Sequence, residues 1–219
     1  MSMSTLLTLV RHGHTEWNAL GRYQGHAPIP LSERGHSQAR HLAAALTQGE
    51  KVTAIYSSDL PRCRQTVAPI ADALGLPVFY DPRFREMDYG HWQGLTRAEL
   101  AALDADRYEA YRADPFNAPI PGGESQRMLA VRVLAGLADI LAAYRGGHVL
   151  LITHGGPIRE ILRYYGRWEG GLPAGNASRT VLALTDDGRT AALVACGDVS
   201  HLPPRLQPEA GGTAFIAGQ

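Results

Sequence analysis

Lysine is nearly missing from this chain: Lys51 stands alone among 21 basic residues, and the rest are arginine. Without a Gly-Lys-Ser/Thr loop the sequence lacks the phosphate cradle of nucleoside-triphosphate enzymes. Lys51 itself lies in the polar run Gln48-Gly49-Glu50-Lys51, which is unsuited to the desolvation that a Schiff-base lysine needs. Net charge is missing as well, because 21 acidic residues balance the 21 basic ones and the isoelectric point is near 7.1. A neutral chain sets up no long-range field, so neither nucleic acid nor an anionic membrane is expected as a partner. Cysteine is scarce: Cys63 and Cys196 have no zinc or disulfide spacing and read as two small buried hydrophobes. Apolar runs such as Val149–Ile152 fall far short of the roughly 20 residues of a membrane-spanning helix. The first ten residues show no basic start followed by an apolar core, so a soluble, cytoplasmic protein is expected.

A length of 219 residues with 45% hydrophobic content suffices for one sizeable core and is short for two, so a single domain over residues 1–219 is expected. Thr5 to Val10 reads as a buried strand, and Ser32 caps a helix whose Ala39, Leu42, Ala43 and Leu46 recur at helical spacing. Val52 to Tyr56 is the next strand. Ser57-Ser58-Asp59 then caps a helix with the stripe Cys63, Val67, Ile70 and Leu74, which Pro69 should bend or interrupt. Pro77 to Tyr80 is a third strand. From Asp81 to Gly123 the chain turns polar, with short helical pieces near Thr96–Leu103 and Arg107–Arg112, as an excursion over one face would. Glu124 to Tyr144 carries Ala130, Leu134, Leu137, Leu141 and Tyr144 in one helical stripe. His148 to Thr153 is a strand, Pro157 to Tyr164 a helix, and Val181–Leu184 with Thr190–Ala195 a hairpin. The tail, 201–219, is rich in Pro and Gly and carries no readable chemistry. This alternation predicts an α/β domain with a mainly parallel sheet, whose ligand lies beyond the carboxyl ends of the strands.

Two segments share one grammar, Leu-Thr-Leu-Val-Arg11-His12-Gly13 and Leu-Leu-Ile-Thr153-His154-Gly155-Gly156. If both strands join one parallel sheet, both imidazoles emerge at its carboxyl edge, with glycines that let backbone N–H groups approach an anion. Taken singly, a histidine ending a strand is more often structural, and it is the matched pair beside glycines that favours a functional reading. Arg62 and Arg64 occupy the first turn of a helix, where the dipole disfavours cations by roughly 0.3 to 1 kcal/mol. Asp59, three residues earlier, could compensate, or a bound phosphate could. Arg11 has the same two readings, and Glu86 is open between a salt bridge to Arg83 or Arg85 and a chemical role.

The ordered set Leu-Val-Arg11-His12-Gly13-His14-Thr15-Glu16-Trp17-Asn18, Ser57-Ser58-Asp59-Leu60-Pro61-Arg62-Cys63-Arg64-Gln65-Thr66, Arg85-Glu86-Met87-Asp88-Tyr89-Gly90-His91-Trp92-Gln93-Gly94 and Thr153-His154-Gly155 resembles the histidine phosphatase superfamily, the phosphoglycerate-mutase-like enzymes. The resemblance implies a three-layer α/β/α sandwich with a mainly parallel central sheet. It implies that His12 is the nucleophile that becomes phosphohistidine and that Arg11, Arg62 and His154, helped by Asn18 and Gly155, bind the phosphoryl group. It also implies that Glu86 is the proton donor, a role that suits a carboxylic acid able to give a proton to the leaving group and reclaim one from water. Phosphoryl transfer rests on positioning and charge stabilisation, so two arginines and a second histidine suit it without metal, and no cofactor is expected. His14, His26, His36, His41, His91 and His148 read as surface or structural, while Tyr89 and Trp92 flank the site and could line its mouth. The run His26-Ala27-Pro28-Ile29-Pro30-Leu31-Ser32 departs from the family, where many members place an acidic residue before Pro-Leu-Thr; only local loop contacts are at issue.

Mutases of the superfamily resemble one another in a longer insertion with paired arginines for a bisphosphate. Here 88–123 is short, and Arg97, Arg107, Arg112 and Arg127 stand singly. A phosphomonoesterase acting on a small phosphorylated metabolite is therefore expected, with a cofactor-dependent phosphoglycerate mutase as the alternative. A catalytically silent binding module would be expected to lack His12 or Glu86, and both are present. The physiological substrate and the oligomeric state are not legible.

Overall fold

In the computed structural model, which describes residues 5–49, 51–167, 175–185 and 187–207, the first apolar run becomes strand β1, Thr5–Arg11. Thr15 caps the one-turn helix α1 (Glu16–Ala19) through reciprocal bonds with Asn18. The Ser32 hydroxyl accepts the Gly35 N–H and opens α2 (Glu33–Leu46), which buries the expected stripe. Strand β2 is Ala54–Ser57, starting at Ala54 rather than Val52.

Helix α3 (Pro61–Leu74) departs from expectation in two ways. Its cap is Leu60 with no side-chain bond, because Ser57 still belongs to β2, Ser58 faces His154 and the Asp59 carboxylate is taken by Arg85. Pro61 suits the bare start, having no N–H to satisfy. Pro69 does not interrupt the helix: Cys63, Val67 and Ile70 are all 0% exposed, and that packing holds it across the lost hydrogen bond.

Strand β3 is Val78–Tyr80, followed by 3-10 turns at Pro82–Phe84 and Gly90–Trp92 and by helices α4 (Arg97–Leu103) and α5 (Ala105–Ala113). Helix α6 (Gln126–Ala143) buries Leu129, Val133, Gly136, Leu137 and Ile140, a face turned from the expected stripe, whose Ala130, Leu134 and Leu141 lie at its flank. Gly136 accounts for the turn, since a Cβ there would sit 2.8 Å from the Phe84 ring and the aromatic seats where it is missing. Strand β4 (His148–Thr153), helix α7 (Gly155–Tyr164) and the hairpin β5 (Arg179–Leu184) and β6 (Ala191–Asp198) complete the order.

The six-stranded sheet runs β3-β2-β4-β1-β5-β6, parallel from β3 to β1 and antiparallel at β5 and β6. The period-two alternation of its central strands builds the layers. Leu7, Leu9, Val149 and Leu151 face the core shared with α6 and α7. Val10, Leu150 and Ile152 face the opposite core with α2 and α3. Residues 81–123 carry a small aromatic core in which Trp92, 1% exposed, meets Tyr108 and Tyr111 edge-on. Trp92 is therefore packing rather than a wall of any mouth. Cys63 is buried as expected, whereas Cys196 is only partly so, being on the edge strand β6. Of the tail, Leu202 and Leu206 pack with Ala177, and Arg34 and Gln38 hold the carbonyls of Gln207 and Leu206. Residues 208–219 lie outside the described residues. No helix among the described residues is long and apolar enough to cross a membrane.

Candidate active site

Each parallel strand delivers one part of the site from its carboxyl end. Strands β1 and β4 are neighbours with Arg11 in register with Thr153, and the His12 N–H donates to the Thr153 carbonyl at 2.9 Å. Their next residues bring the His12 and His154 ring centroids to 5.1 Å. Strand β2 leads through Ser58 into α3 and Arg62, and β3 leads into the segment that carries Glu86.

His12 is 2% exposed, and its Nδ1 lies 2.8 Å from the Gly13 carbonyl oxygen. A carbonyl can only accept, so Nδ1 carries the hydrogen and Nε2 keeps its lone pair. Burial holds the His12 pKa well below the ordinary imidazole value, and the Arg62 and Arg11 charges push the same way. His12 is thus a neutral imidazole with one free lone pair. His154, 0% exposed, is held equally neutral by burial and then by Arg62 and His12. Its nitrogens, however, are both engaged: Arg62 Nε donates to Nδ1 at 3.2 Å, so Nε2 carries the hydrogen and faces Ser58 Oγ at 2.9 Å.

Arg62 is fully buried and donates to the carbonyls of Gly25 and Ala27 as well as to His154. Asp59 does not compensate it, because the Asp59 carboxylate takes Arg85 at both oxygens. No carboxylate pairs with Arg62 among the described residues, and burial lowers its pKa. Burial lowers the Arg11 pKa too, while the Glu86 charge works against that shift.

Glu86 makes neither of the salt bridges its neighbours offered. Arg83 pairs with Asp81 and Asp139, and Arg85 with Asp59. The Glu86 carboxylate instead accepts the Met87 N–H at 2.9 Å and the Gly156 N–H, at the start of α7, at 3.1 Å. Gly156 is required there, since a Cβ would collide with Oε1. Two of these glycines also make room for close packing: Gly156 admits the Glu86 carboxylate, and a Cβ on Gly13 would meet the Gly35 carbonyl oxygen 2.8 Å away. Gly155 does sit at the centre, 4.0 Å from both Arg11 Nε and Glu86 Oε2 as measured from where its Cβ would be.

Asn18 closes the other side. Its Oδ1 accepts from the Thr15 N–H and hydroxyl and from Asn176 Nδ2, which leaves its NH2 as the end with hydrogens to offer. Asn176, Ser58 and His26 were not singled out by sequence. Asn176 Nδ2 holds the His12 carbonyl at 3.1 Å, and Ala177 beside it adopts φ 57° while donating to the Arg11 and His12 carbonyls. His26, read as surface or structural, bonds the Glu86 carbonyl at 2.9 Å through Nε2. No residue type or spacing announces these contacts, which depend on chain segments meeting across the sheet edge.

The sequence pattern of the histidine phosphatase superfamily (branch 1) matches residues 7–197. This chain belongs to that superfamily. A metal-independent phosphoserine phosphatase of Arabidopsis thaliana is 38% identical over 203 residues, covering 90% of this chain and 83% of that protein. Phosphoglycerate mutase-like protein 4 of the same plant is 35% identical, over 90% of this chain and 86% of its own length. A solved mycobacterial glucosyl-3-phosphoglycerate phosphatase with inorganic phosphate superposes at TM-score 0.77 and 31% identity, over 90% of this chain and 99% of that one. Phosphoric monoester hydrolysis is the activity the relatives support, and the mutase alternative is weaker.

Proposed function

We propose that this phosphatase hydrolyses small phosphomonoesters in two transfers through His12, without metal. In the first, His12 Nε2 forms the P–N bond as the ester P–O bond breaks, and Glu86 gives its proton to the departing oxygen. In the second, water attacks phosphorus, the P–N bond breaks, and Glu86 takes the proton from water. Arg11, Arg62, His154, Asn18 and the Gly155 N–H bind the phosphoryl oxygens, and the His154 Nε2–H now on Ser58 is the donor it can redirect. The observation that carries the reading is the Nδ1 bond from His12 to Gly13, which fixes the tautomer and leaves the Nε2 lone pair free on a ring that feels the Arg62 and Arg11 charges.

Quenching with labelled substrate without acid should trap an acid-labile, base-stable phosphoenzyme, with activity intact in chelator and inhibited by vanadate. Label on a serine or aspartate, or activity restored only by a divalent ion, would overturn the assignment. Residues 1–219 are read as one domain in which 88–123 covers the site. That segment docks through a bridge between Arg22 and Thr96 and the Tyr23–Gly94 bond onto the loop whose Gly25 and Ala27 carbonyls hold Arg62. Its arginines are engaged locally, Arg97 with the Tyr108 hydroxyl, Arg107 with Asp104 and Arg112 with Glu109, and Arg127, just beyond it on α6, lies over Phe116. This supports hydrolysis over bisphosphate-primed isomerisation.

Arg159 narrows the substrate. Its side chain is 13% exposed, and among the described residues its one bond runs from Nε to Glu160 at 3.3 Å, while Glu160 is held more closely by Arg163. Among the described residues its Nη groups have no acceptor; burial weighs against its charge, while the neighbouring Glu160 and Glu86 carboxylates favour it. A second anionic group on the substrate, such as the carboxylate of a phosphoserine or phosphoglycerate moiety, would fill that need. Arg159→Met should raise KM for a carboxylate-bearing phosphomonoester by about 10- to 100-fold, the worth of a charged hydrogen bond, and leave nitrophenyl phosphate unaffected. Equal changes for both would remove the carboxylate from the reading.

A further inference from the structure

Arg132, on α6, touches neither the histidines nor the arginines of the cradle, yet its guanidinium is fully committed. Nη1 donates to the carbonyls of Arg83 at 2.8 Å and Arg85 at 2.7 Å. Nη2 donates to the Glu86 carbonyl and to Glu124 Oε2, and Nε to Glu124 Oε1, each at 2.7 Å. A guanidinium has five N–H donors in one rigid plane, and every one of these is in use. Glu124 is fixed in turn: its Oε2 also accepts the Asp88 N–H at 2.9 Å, and its own N–H donates to the Asp88 carbonyl at 2.9 Å. Both side chains are largely buried, at 19% and 15% exposure.

The consequence lies in one peptide plane. The Glu86 C=O and the Met87 N–H belong to the same planar unit, so neither can rotate without the other. Arg132 and His26 grip the oxygen of that plane, and its N–H is the donor that orients the Glu86 carboxylate at 2.9 Å. Holding the carbonyl therefore aims the acid. We infer that Arg132, braced by Glu124, is a positioning residue that sets the orientation of Glu86 through the 86–87 peptide; the inference rests on Glu86 being the proton donor. A lysine in its place offers a point charge with three donors and cannot hold the carbonyls and the carboxylate together.

Single-turnover rates on an alkyl phosphate and on nitrophenyl phosphate test this, with the vanadate inhibition constant measured alongside. Arg132→Lys should lose about 10- to 100-fold on the alkyl ester, the scale of a misplaced catalytic group, under about threefold on the aryl ester, and nothing in vanadate binding. Combined with Glu86→Gln it should lose no more than Glu86→Gln alone, because the two act through one proton. Glu124→Gln should show the same pattern more weakly, and it replaces Arg132→Lys if the latter does not fold. Equal losses on both esters, weakened vanadate binding, or additive loss in the double variant would reduce Arg132 to a structural clamp and overturn the inference. If Glu86→Gln itself spares the alkyl ester, the proton-donor reading fails first, and the two failures are told apart.

Discussion

The turn after β1 and the turn after β4 use the same residues, a strand ending in histidine and glycine, and place their imidazoles side by side. They differ in what each ring touches. His12 meets a backbone carbonyl, which fixes its hydrogen on Nδ1 and leaves Nε2 bare. His154 meets an arginine N–H at Nδ1 and a serine hydroxyl at Nε2, so its free lone pair is already taken. Burial and the arginine charges keep both rings neutral, so charge does not separate them. The tautomer does: one ring can attack phosphorus and the other can only donate to oxygen.

Exchanging the fates of the two rings is the severest way to break that comparison. His12→Ala should lower turnover by at least about 10⁴-fold and abolish the phosphoenzyme, because the lone pair of the other imidazole is already taken by Arg62. His154→Ala should cost about 10²- to 10³-fold, the scale of one lost oxyanion donor, while a phosphoenzyme still forms on His12. Single-turnover trapping of both variants decides it. A phosphoenzyme surviving in His12→Ala would show that the rings are interchangeable.

The alternation of strands, the paired histidines and the exposed hairpin are legible in the chain because they are local patterns. Partner choice is not. Reading by proximity set Asp59 against Arg62 and Glu86 against Arg83 or Arg85, whereas the fold pairs Asp59 with Arg85 and Arg83 with Asp81 and Asp139. That exchange keeps both the Arg62 guanidinium and the Glu86 carboxylate out of the salt bridges their neighbours offer. The buried face of α6 differs from the periodic stripe for a similar reason, as the seat for Phe84 at Gly136 is a long-range fit that periodicity does not contain. Ser58 was read as a cap and instead faces a catalytic-site ring because β2 runs as far as Ser57.

Ser58 sharpens the comparison at a smaller scale. Ser58→Ala removes the oxygen that accepts the His154 Nε2–H, leaving Cys63 Sγ at 3.4 Å beside it and Arg62 on Nδ1, so the tautomer persists while the ring loses one tether. The phosphoryl donor remains, and the loss should be about 3- to 10-fold, the worth of a neutral hydrogen bond. KM should rise more than kcat falls. His12 rates of attack on an activated ester should stay close to those of the parent.

The smallest effect expected is on stability, and it tests whether both rings are neutral. Their folded pKa values lie well below the ordinary 6.5, and His14 and His201 are lowered as well, His201 to about 4. As pH falls through 6.5 the unfolded chain takes up protons that the folded chain refuses, so stability is present above 6.5 and drains away as the folded pKa values are approached. Asp198, held at about 2 against its ordinary 3.8, begins to act only at still lower pH. The melting temperature should therefore fall between pH 6.5 and about 5, above the range in which Glu124 and Glu99, both lowered from 4.5, begin to contribute. His201→Gln should remove part of that slope and leave the part due to the two site rings. A melting temperature that stays flat across this window would mean that at least one ring is already protonated in the fold, and the equivalence in charge between the two turns would be lost along with the neutral nucleophile.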